Sequence, residues 1–552
     1  MSSKENLKKF LVTNALPYAN GPLHLGHLLE HIQADIWVRF QRLKGHECLF
    51  VAGDDAHGTP IMLKAEELGL TPDELIQNIY KEHTEELSKF LISYDNYHTT
   101  HSEENKELSE EIFKSAEKKG LITKKNIEQL FDITKDMFLS DRYVKGQCPS
   151  CGAKEQYGDN CEVCSATYDA CELVDPISQL TDTKPTLKES EHLFFQLTKL
   201  KTQIVSWLNQ SDIQTSVINK LNEWLSGELK DWDISRDKPY FGFQIPGYKD
   251  KYFYVWLDAP IGYIASTKNF LKNSNSSFNL DDVWGIKSEF NIYHFIGKDV
   301  MYFHTLFWPA LLSAGEYKMP NGVHVHGFLT VNGEKMSKSR GTFILAKAYL
   351  KFLEPEYLRY FFASKLSNGV EDIDMNYEDF RQRVNSDLVG KYINIASRSA
   401  KFINKNFDNK LSGKLDQPEL VQSFVNKSNL LDELYNKRLY SKAVKEIMTL
   451  ADQANQYFDS KKPWILIKED PSSQEVQEIC TTTLNLFKIL SIYLNPILPK
   501  ITNGAFNFLN LKLQTWEDIN SIIVDKRINK YEPLINRITE DNLKSIEKEA
   551  KG

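Results

Sequence analysis

Two histidines three residues apart, in His24-Leu25-Gly26-His27, are the first candidates for chemistry. At a helix start that spacing puts both rings on one face. The unpaired N–H groups and positive dipole end of a first turn suit an anion. Imidazoles placed there can donate hydrogen bonds to phosphate oxygens as charge builds in a transition state. Gly26 has no Cβ, so a flat base or a phosphate can approach its backbone closely. A second basic motif is Lys335-Met336-Ser337-Lys338-Ser339-Arg340-Gly341. Such a small-polar loop ending in glycine can close on an anion. Lysine, a compact point charge on a flexible stem, suits a pyrophosphate leaving group. Each motif alone also has a plain reading, as two exposed histidines at a helix cap or as a solvated basic loop. Together, each after a strand, they describe a site that grips the triphosphate of ATP from two sides.

These groups need elements to carry them. The run from Phe10 to Leu16 reads as a buried strand. Leu25, Leu28, Leu29, Ile32, Ile36 and Phe40 fall near helical spacing and predict a helix from about Leu25 to Lys44, stopped by Gly45. Pro17 and Gly21-Pro22 make the loop between them. Strand–helix alternation to about Asn96 predicts the first half of an open parallel sheet. Thr71-Pro72-Asp73-Glu74 has the pattern of a helix start, with Thr at the N-cap, Pro at N1 and Glu at N3. Turn residues and cysteines from about Lys118 to Asp231 read as an insertion. The sheet is expected to resume near Lys251–Val255 and at Phe290–Phe295, and Val323 to Val331 supplies the strand before the lysine loop. After about Tyr377 the chain reads as a helix bundle.

Cys148-Pro149-Ser150-Cys151 and Cys161-Glu162-Val163-Cys164 form a pair of CxxC motifs. Four thiolates make a closed tetrahedral site, so one structural zinc held by Cys148, Cys151, Cys161 and Cys164 is expected. It would hold together a knuckle with almost no core of its own. Two disulfides or incidental thiols are the alternatives. Cys171 lies outside the pattern, and Cys48 and Cys480 read as small core residues.

A chain of 552 residues implies three or four domains. No apolar stretch is long enough to span a bilayer, and the N-terminus lacks the apolar core of a secretion signal. A cytoplasmic location is the expectation. The net charge of −8 argues against nucleic-acid binding at first sight. From Lys391 to Gly552, however, 24 Lys and Arg stand against 20 Asp and Glu, while the preceding residues carry 43 against 55. The tail, at +4, is where an RNA backbone would be least repelled.

On its two signature motifs the chain resembles the class I aminoacyl-tRNA synthetases. Asn14-Ala15-Leu16-Pro17-Tyr18, Gly53-Asp54-Asp55-Ala56-His57-Gly58-Thr59, Trp256-Leu257-Asp258-Ala259-Pro260-Ile261-Gly262-Tyr263 and His294-Phe295-Ile296-Gly297-Lys298-Asp299 narrow the resemblance to the methionyl-tRNA synthetase (methionine–tRNA ligase) family. It runs from Phe10 to about Arg537. It implies a Rossmann-type parallel-sheet catalytic domain split by a zinc-bearing insertion, followed by an α-helical bundle anticodon-binding domain. The halves of the catalytic domain are then expected at 1–117 and 232–325, with the insertion at 118–231. A region carrying the lysine loop and contacting the tRNA stem would span 326–387, the bundle 388–535 and a tail 536–552.

The resemblance also implies site residues and partners. Methionine would be held by Ala15, Leu16, Tyr18, Asp55, Arg236, Trp256, Ala259, Pro260, Tyr263, Asp299 and His304, with Asp55 on the ammonium. Aromatic rings around a thioether make physical sense of that set, although Trp256 and Tyr263 read alone are ordinary core residues. ATP, with Mg²⁺, would be held by His24, Gly26, His27, His326 and Lys338, and Lys335 and Lys338 would neutralise the pyrophosphate. Asn394, Arg398, Pro463 and Trp464 would read the CAU anticodon of tRNA(Met), initiator and elongator. Beside Lys461 and Lys462, Trp464 also reads simply as a core residue at a helix start. Homocysteine lacks one methyl, a difference of only ~1–3 kcal/mol, so leakage at activation and disposal by cyclisation are expected. No appended C-terminal dimerisation domain is visible, which makes a monomer the expectation. A nucleotidylyltransferase for small molecules and a non-catalytic tRNA-binding paralogue are the alternatives. The helical basic tail speaks against the first, and the intact His24, His27, Lys335 and Lys338 against the second.

Overall fold

The computed structural model describes residues 7–139, 143–158, 161, 163, 164, 166, 168–227, 229–336 and 342–551. Its centre is a six-stranded sheet of β1 (Lys9–Asn14), β2 (Glu47–Asp54), β3 (Asn96–Thr99), β4 (Asp212–Ile213), β5 (Phe290–Gly297) and β6 (Gly322–His326). The spatial order is β4–β6–β5–β1–β2–β3, with every pairing parallel. The strand order reverses between β1 and β5, the switch point outside whose carboxyl ends open α/β sheets bind ligands. Thr13 and Asn14 lie beside His294 and Phe295 there.

The pleat distributes the apolar runs to two cores. Phe10, Val12, Phe50 and Phe295 join one buried cluster, while Leu11, Leu49, Val51, Ile292 and Ile296 join another. Helix α1 (Leu25–Leu43) covers the first face. Gly45, at φ 85°, turns the chain into β2. Helix α2 (Pro72–Lys89) starts as its sequence demands, with Thr71 accepting from the Glu74 N–H and Glu74 reaching back to the Thr71 backbone. Helix α3 (Val255–Asn273) belongs to the second core.

Three expectations need correction. Lys251–Phe253 does not enter the main sheet. It pairs antiparallel with Ser235–Asp237, and Val255 already begins α3. Conversely β4, inside the stretch read as insertion, supplies an edge strand of the main sheet. A two-residue strand carries too little hydrophobic periodicity to be seen in sequence. The apolar run Val323 to Val331 is two strands, because the chain breaks out of the sheet at Gly327. A Cβ there would lie 2.2 Å from the carbonyl oxygen of Glu371. Leu329–Val331 then pairs with Ile373–Met375 and, antiparallel, with Glu334–Lys335. Asn332 and Gly333 have φ of 50° and 80°, the two positive values that a tight two-residue hairpin turn needs.

The inserted stretch is built on a long antiparallel pair, Ile122–Asp132 with Thr186–Phe195. A small three-stranded sheet beside it carries the cysteines. The C-terminal part is helical, centred on Asn394–Asn406, Tyr440–Lys461 and the almost wholly buried Gln474–Leu494. It packs directly on α1: Phe40 stacks on Tyr435 at 4.9 Å, and the Gln41 amide donates to Asn436 at 2.9 Å. Arg359, fully buried, bonds Asp35 of α1 at 2.6 Å and the carbonyls of Pro496 and Ile497. Within 536–552, Leu543 and Ile546 of helix Glu540–Lys551 are buried, as is Ile538 just before it.

Candidate active site

Outside the carboxyl ends of β1 and β5 lies a cavity of about 810 Å³. One end of it is built by the start of α1. His24 is the N-cap, and its Nδ1 accepts from the Gly26 N–H at 3.1 Å. The Nδ1 of His27 accepts in turn from the His24 N–H at 3.3 Å. The two rings stack with centroids 3.7 Å apart. Because each Nδ1 is used as an acceptor, each neutral ring carries its proton on Nε2. Burial lowers the pKa of His24 to about 4 and that of His27 well below the usual value. The pair therefore stands at neutral pH as two uncharged Nε2–H donors in rings that line the cavity.

The second motif reaches this same place. Lys335 and Met336 line the same cavity as His24 and His27. A Cβ at Gly26 would lie 2.5 Å from Cε of Met336 and 2.9 Å from Cε1 of His24. Backbone bonds fasten the two segments, with the Leu25 N–H on the Ile344 carbonyl and the Ala346 N–H on that of Leu23. Phe343 sets its ring edge 4.8 Å from His24. Lys338 lies outside the described residues.

The other end of the cavity carries Asp55. Among the described residues, one of its carboxylate oxygens is buried without a hydrogen-bond partner. Burial, then the neighbouring charges of Asp258 and Asp54, raises its pKa well above the usual carboxylate value. A carboxylate left in that state is completed by a cation. Ala15, Leu16, Tyr18, Arg236, Trp256, Asp299 and His326 also line the cavity. The Tyr18 hydroxyl donates to the His57 carbonyl at 2.7 Å. Arg236 lies over the ring of Tyr254 at 3.9 Å and pairs with Asp233 at 3.3 Å.

Four expected residues do not line the open cavity. Ala259 and Pro260 are half-buried one turn beyond Trp256 on α3. Tyr263 and His304 are buried behind them. His304 Nδ1–H donates to the Val300 carbonyl at 3.0 Å, so its Nε2 accepts from the Tyr263 hydroxyl at 2.7 Å. Burial lowers the pKa of His304 to about 4, which keeps that arrangement neutral. The ring of Phe303, next to His304 in the chain, lies 3.6 Å from that of Trp256.

Sequence reasoning missed Glu30, Tyr240 and Tyr254, which also line the cavity. Glu30 accepts from the Gly297 N–H at 2.8 Å and lies 3.5 Å from His326 Nε2. Burial, opposed chiefly by His326, raises its pKa. Its position three residues past His27 on the same helix face was the available signal.

The four expected cysteines come together, with their sulfurs within 4.8 Å of one another. Cys148 and Cys164 are 3.8 Å apart and Cys151 and Cys161 3.6 Å, far from the ~2.05 Å of a disulfide. A tetrahedral ion with ~2.3 Å metal–sulfur bonds has sulfur–sulfur edges of about 3.8 Å. The N–H groups of Ser150 and Cys164 point at sulfur at 3.4 Å, as a thiolate site requires. The residues thus fit a bound metal. Cys171 stands apart and donates to the Glu128 carbonyl.

The expected anticodon residues also cluster. Asn394 and Arg398 share one face of helix Asn394–Asn406, and the Arg398 guanidinium lies 5.4 Å from the ring of Trp464. Trp464 is half-buried and follows the buried Pro463. Asn394 donates to Asn455, and Arg398 pairs with Asp459.

Among the described residues no helix is long and apolar enough to cross a membrane. Residues 10–400 match the family model described as tRNA synthetases class I (M), and residues 412–552 match the anticodon binding domain of methionyl tRNA ligase. The fold is similar to that of a Mycobacterium tuberculosis methionyl-tRNA synthetase bound by methionyl-adenylate, at TM-score 0.79 and 21% identity over 96% of this chain and 100% of that one. It is similar too to the free form of that enzyme, at TM-score 0.71 and 20% identity over 98% and 100%. With one model spanning its catalytic sheet and signature loops and the other its helical tail, the chain belongs to the methionyl family of class I aminoacyl-tRNA synthetases.

Proposed function

We propose that this chain, as a cytoplasmic monomer, joins L-methionine to tRNA(Met), initiator and elongator, in two steps in the cavity at the sheet's switch point. The methionine carboxylate attacks the α-phosphate of ATP, giving methionyl-adenylate and pyrophosphate. The ester-forming step then moves the methionyl group to the terminal adenosine of the tRNA and releases AMP. No side chain becomes a nucleophile, because positioning and charge carry phosphoryl transfer. His24 and His27 donate from Nε2 to phosphate oxygens, Gly26 leaves room for the nucleotide, and His326 faces it across the cavity. Lys335 and Lys338 take the charge of the departing pyrophosphate, with Mg²⁺ entering on the ATP phosphates.

Asp55 pairs with the substrate ammonium, and Arg236 serves the carboxylate or the phosphates. Ala15, Leu16, Tyr18 and Trp256 bound the side-chain slot. Ala259, Pro260, Tyr263 and His304 form its rear wall, and Asp299 closes it near β5. Cys148, Cys151, Cys161 and Cys164 hold one structural zinc, which supplies rigidity to the knuckle and no chemistry. Asn394, Arg398, Pro463 and Trp464 read the anticodon. Residues 1–117 and 232–325 are the two halves of the catalytic domain, joined by strand β4 from within 118–231. Residues 326–387 contact the stem, 388–535 form the bundle, and 536–552 close the chain.

One observation carries this reading: Met336 packs on Gly26 in the cavity that also holds the unpartnered oxygen of Asp55. Charging assays on two transcripts of one tRNA body test it. Methionine should be esterified to the transcript with a CAU anticodon and at least about a hundredfold less well to one with that triplet replaced, at the ~1–3 kcal/mol of each lost base contact. Equal charging of both would refute the anticodon role. No charging of either would refute the function.

A further inference from the structure

His83, on α2, touches neither the cavity nor any residue assigned above to substrate. It is fully buried, yet both of its nitrogens face acceptors. Nδ1 lies 2.7 Å from Oδ1 of Asp54, the last residue of β2, and Nε2 lies 2.9 Å from the carbonyl oxygen of Gly21. A backbone carbonyl cannot donate. The hydroxyl of Tyr97, at 2.5 Å, also gives its proton to the same Asp54 oxygen, which marks that oxygen as an acceptor. A neutral imidazole has one N–H and could satisfy only one of these partners, whereas the cation satisfies both.

Gly21 lies in the loop that ends at the His24 cap. That loop is tied to the sheet by the Ala19 N–H on the Asp55 carbonyl, and to the segment after the lysine motif by Leu23 and Leu25. Between these fastenings, Gly21 is held by His83. The charge of His83 is also felt at His27, where it adds to burial in keeping that ring neutral.

We propose that His83 is a positioning residue for nucleotide binding: its doubly protonated ring clamps the phosphate-binding loop to the end of β2 and places a buried positive charge behind His27. This rests on the ATP-binding reading above. The charged and titratable groups that act on it are Asp54 on the sheet, Glu86 on its own helix, and His27 and His31 on α1 through charge; Tyr97 shares the Asp54 oxygen, and Glu82 and Lys347 act on Glu86. The bonds to Asp54 and Gly21 raise the pKa of His83 against the desolvation that lowers it. The clamp is therefore complete at lower pH and is lost as pH rises through the folded pKa. Glu86 is the competing titrating group. Among the described residues both its oxygens are buried without partners, and burial raises its pKa to about 7.

Three proteins and two readouts test the clamp: wild type, His83→Gln, which keeps a donor without the charge, and Glu86→Gln. In a ¹⁵N-histidine NMR pH titration, wild type should show two rings that stay protonated on both nitrogens above the usual imidazole pKa, that of His83 and that of His192, whose nitrogens face Asp233 at 2.7 Å and Asp237 at 3.0 Å, and His83→Gln should lack the first while keeping the second. In pyrophosphate exchange, His83→Gln should raise the KM for ATP at least tenfold while the KM for methionine changes less than twofold. The alkaline fall of kcat/KM for ATP should disappear in His83→Gln and persist in Glu86→Gln. A neutral ring at position 83, an unchanged KM for ATP, or loss of the alkaline fall in Glu86→Gln alone would overturn the proposal. The NMR result does not depend on activity, so wild-type protein that holds the cation but exchanges nothing would refute methionine activation and not the charged clamp.

Discussion

Met336 packs against Gly26, so the two signature motifs, 310 positions apart in sequence, meet at one point. A Cβ on residue 26 would fall 2.5 Å from the Met336 methyl and 2.9 Å from the ring of His24. The methyl can swing aside, but the ring is held by its own bond to the Gly26 N–H. Gly26 thus does two things at once: it caps onto His24 and leaves the surface on which the second motif rests. That juxtaposition brings two ordinary basic segments to the lining of one cavity.

The His24 ring separates its structural and chemical duties by nitrogen. Nδ1 caps α1, and Nε2–H is the donor that the proposed function assigns to phosphate. Asparagine is a good N-cap but is too short to replace Nε2. His24→Asn should therefore keep the thermal midpoint within a few degrees while lowering the exchange kcat by roughly two orders of magnitude, the ~2.7–4 kcal/mol of a lost transition-state donor. A loss of activity that tracks a loss of stability would assign His24 to the cap alone.

Asp55 should control methionine binding with a defined pH signature. Its pKa is raised, first by burial and then by Asp258 and Asp54, so the carboxylate is lost as pH falls. An ammonium ligand needs the carboxylate. The KM for methionine should therefore climb on the acid side in wild type and be flat there in Asp55→Asn. That variant should also raise the KM by about thirtyfold or more, from the ~2–5 kcal/mol of a broken buried charge pair. An unchanged acid limb in Asp55→Asn would move the ammonium site elsewhere.

The cysteine knuckle should bind about one zinc per chain, as closed four-sulfur sites do. Metal analysis after Cys161→Ser, which removes a buried ligand, should show that zinc lost, with proteolysis appearing between residues 143 and 178. Full zinc content in Cys161→Ser would place the metal elsewhere.

Trp464→Ala should weaken charging of tRNA by roughly 5- to 150-fold, the ~1–3 kcal/mol of one stacked base. Adenylate formation should be unaffected, since the indole lies among Phe458 and Arg398 in the bundle. Equal damage to both steps would mean that Trp464 only packs.

The sequence revealed the parts whose chemistry is local. His24 and His27, the cysteine pairs and the Thr71 cap each carry their signal within a few residues. The main strands β1, β2 and β5 were visible because strands buried on both faces are continuous apolar runs. What stayed hidden depends on distant contacts. Strand β4 has two residues, and Lys251–Phe253 is apolar enough to suit the main sheet but finds Ser235–Asp237 first. The break at Gly327 is enforced by the carbonyl of Glu371, 44 residues on. Glu30 reads as a solvated helix position until β5 and His326 close over it. Nothing local shows that both nitrogens of His83 meet acceptors.

The central claim is that this cavity activates methionine with ATP, and amino-acid-dependent pyrophosphate exchange across all twenty amino acids tests it most directly. Methionine should support exchange at least about a hundredfold better than any other. Homocysteine, added as a twenty-first substrate, should trail by only the ~1–3 kcal/mol of a missing methyl and release its thiolactone. Exchange supported best by a different amino acid, or none with methionine present, would contradict the account.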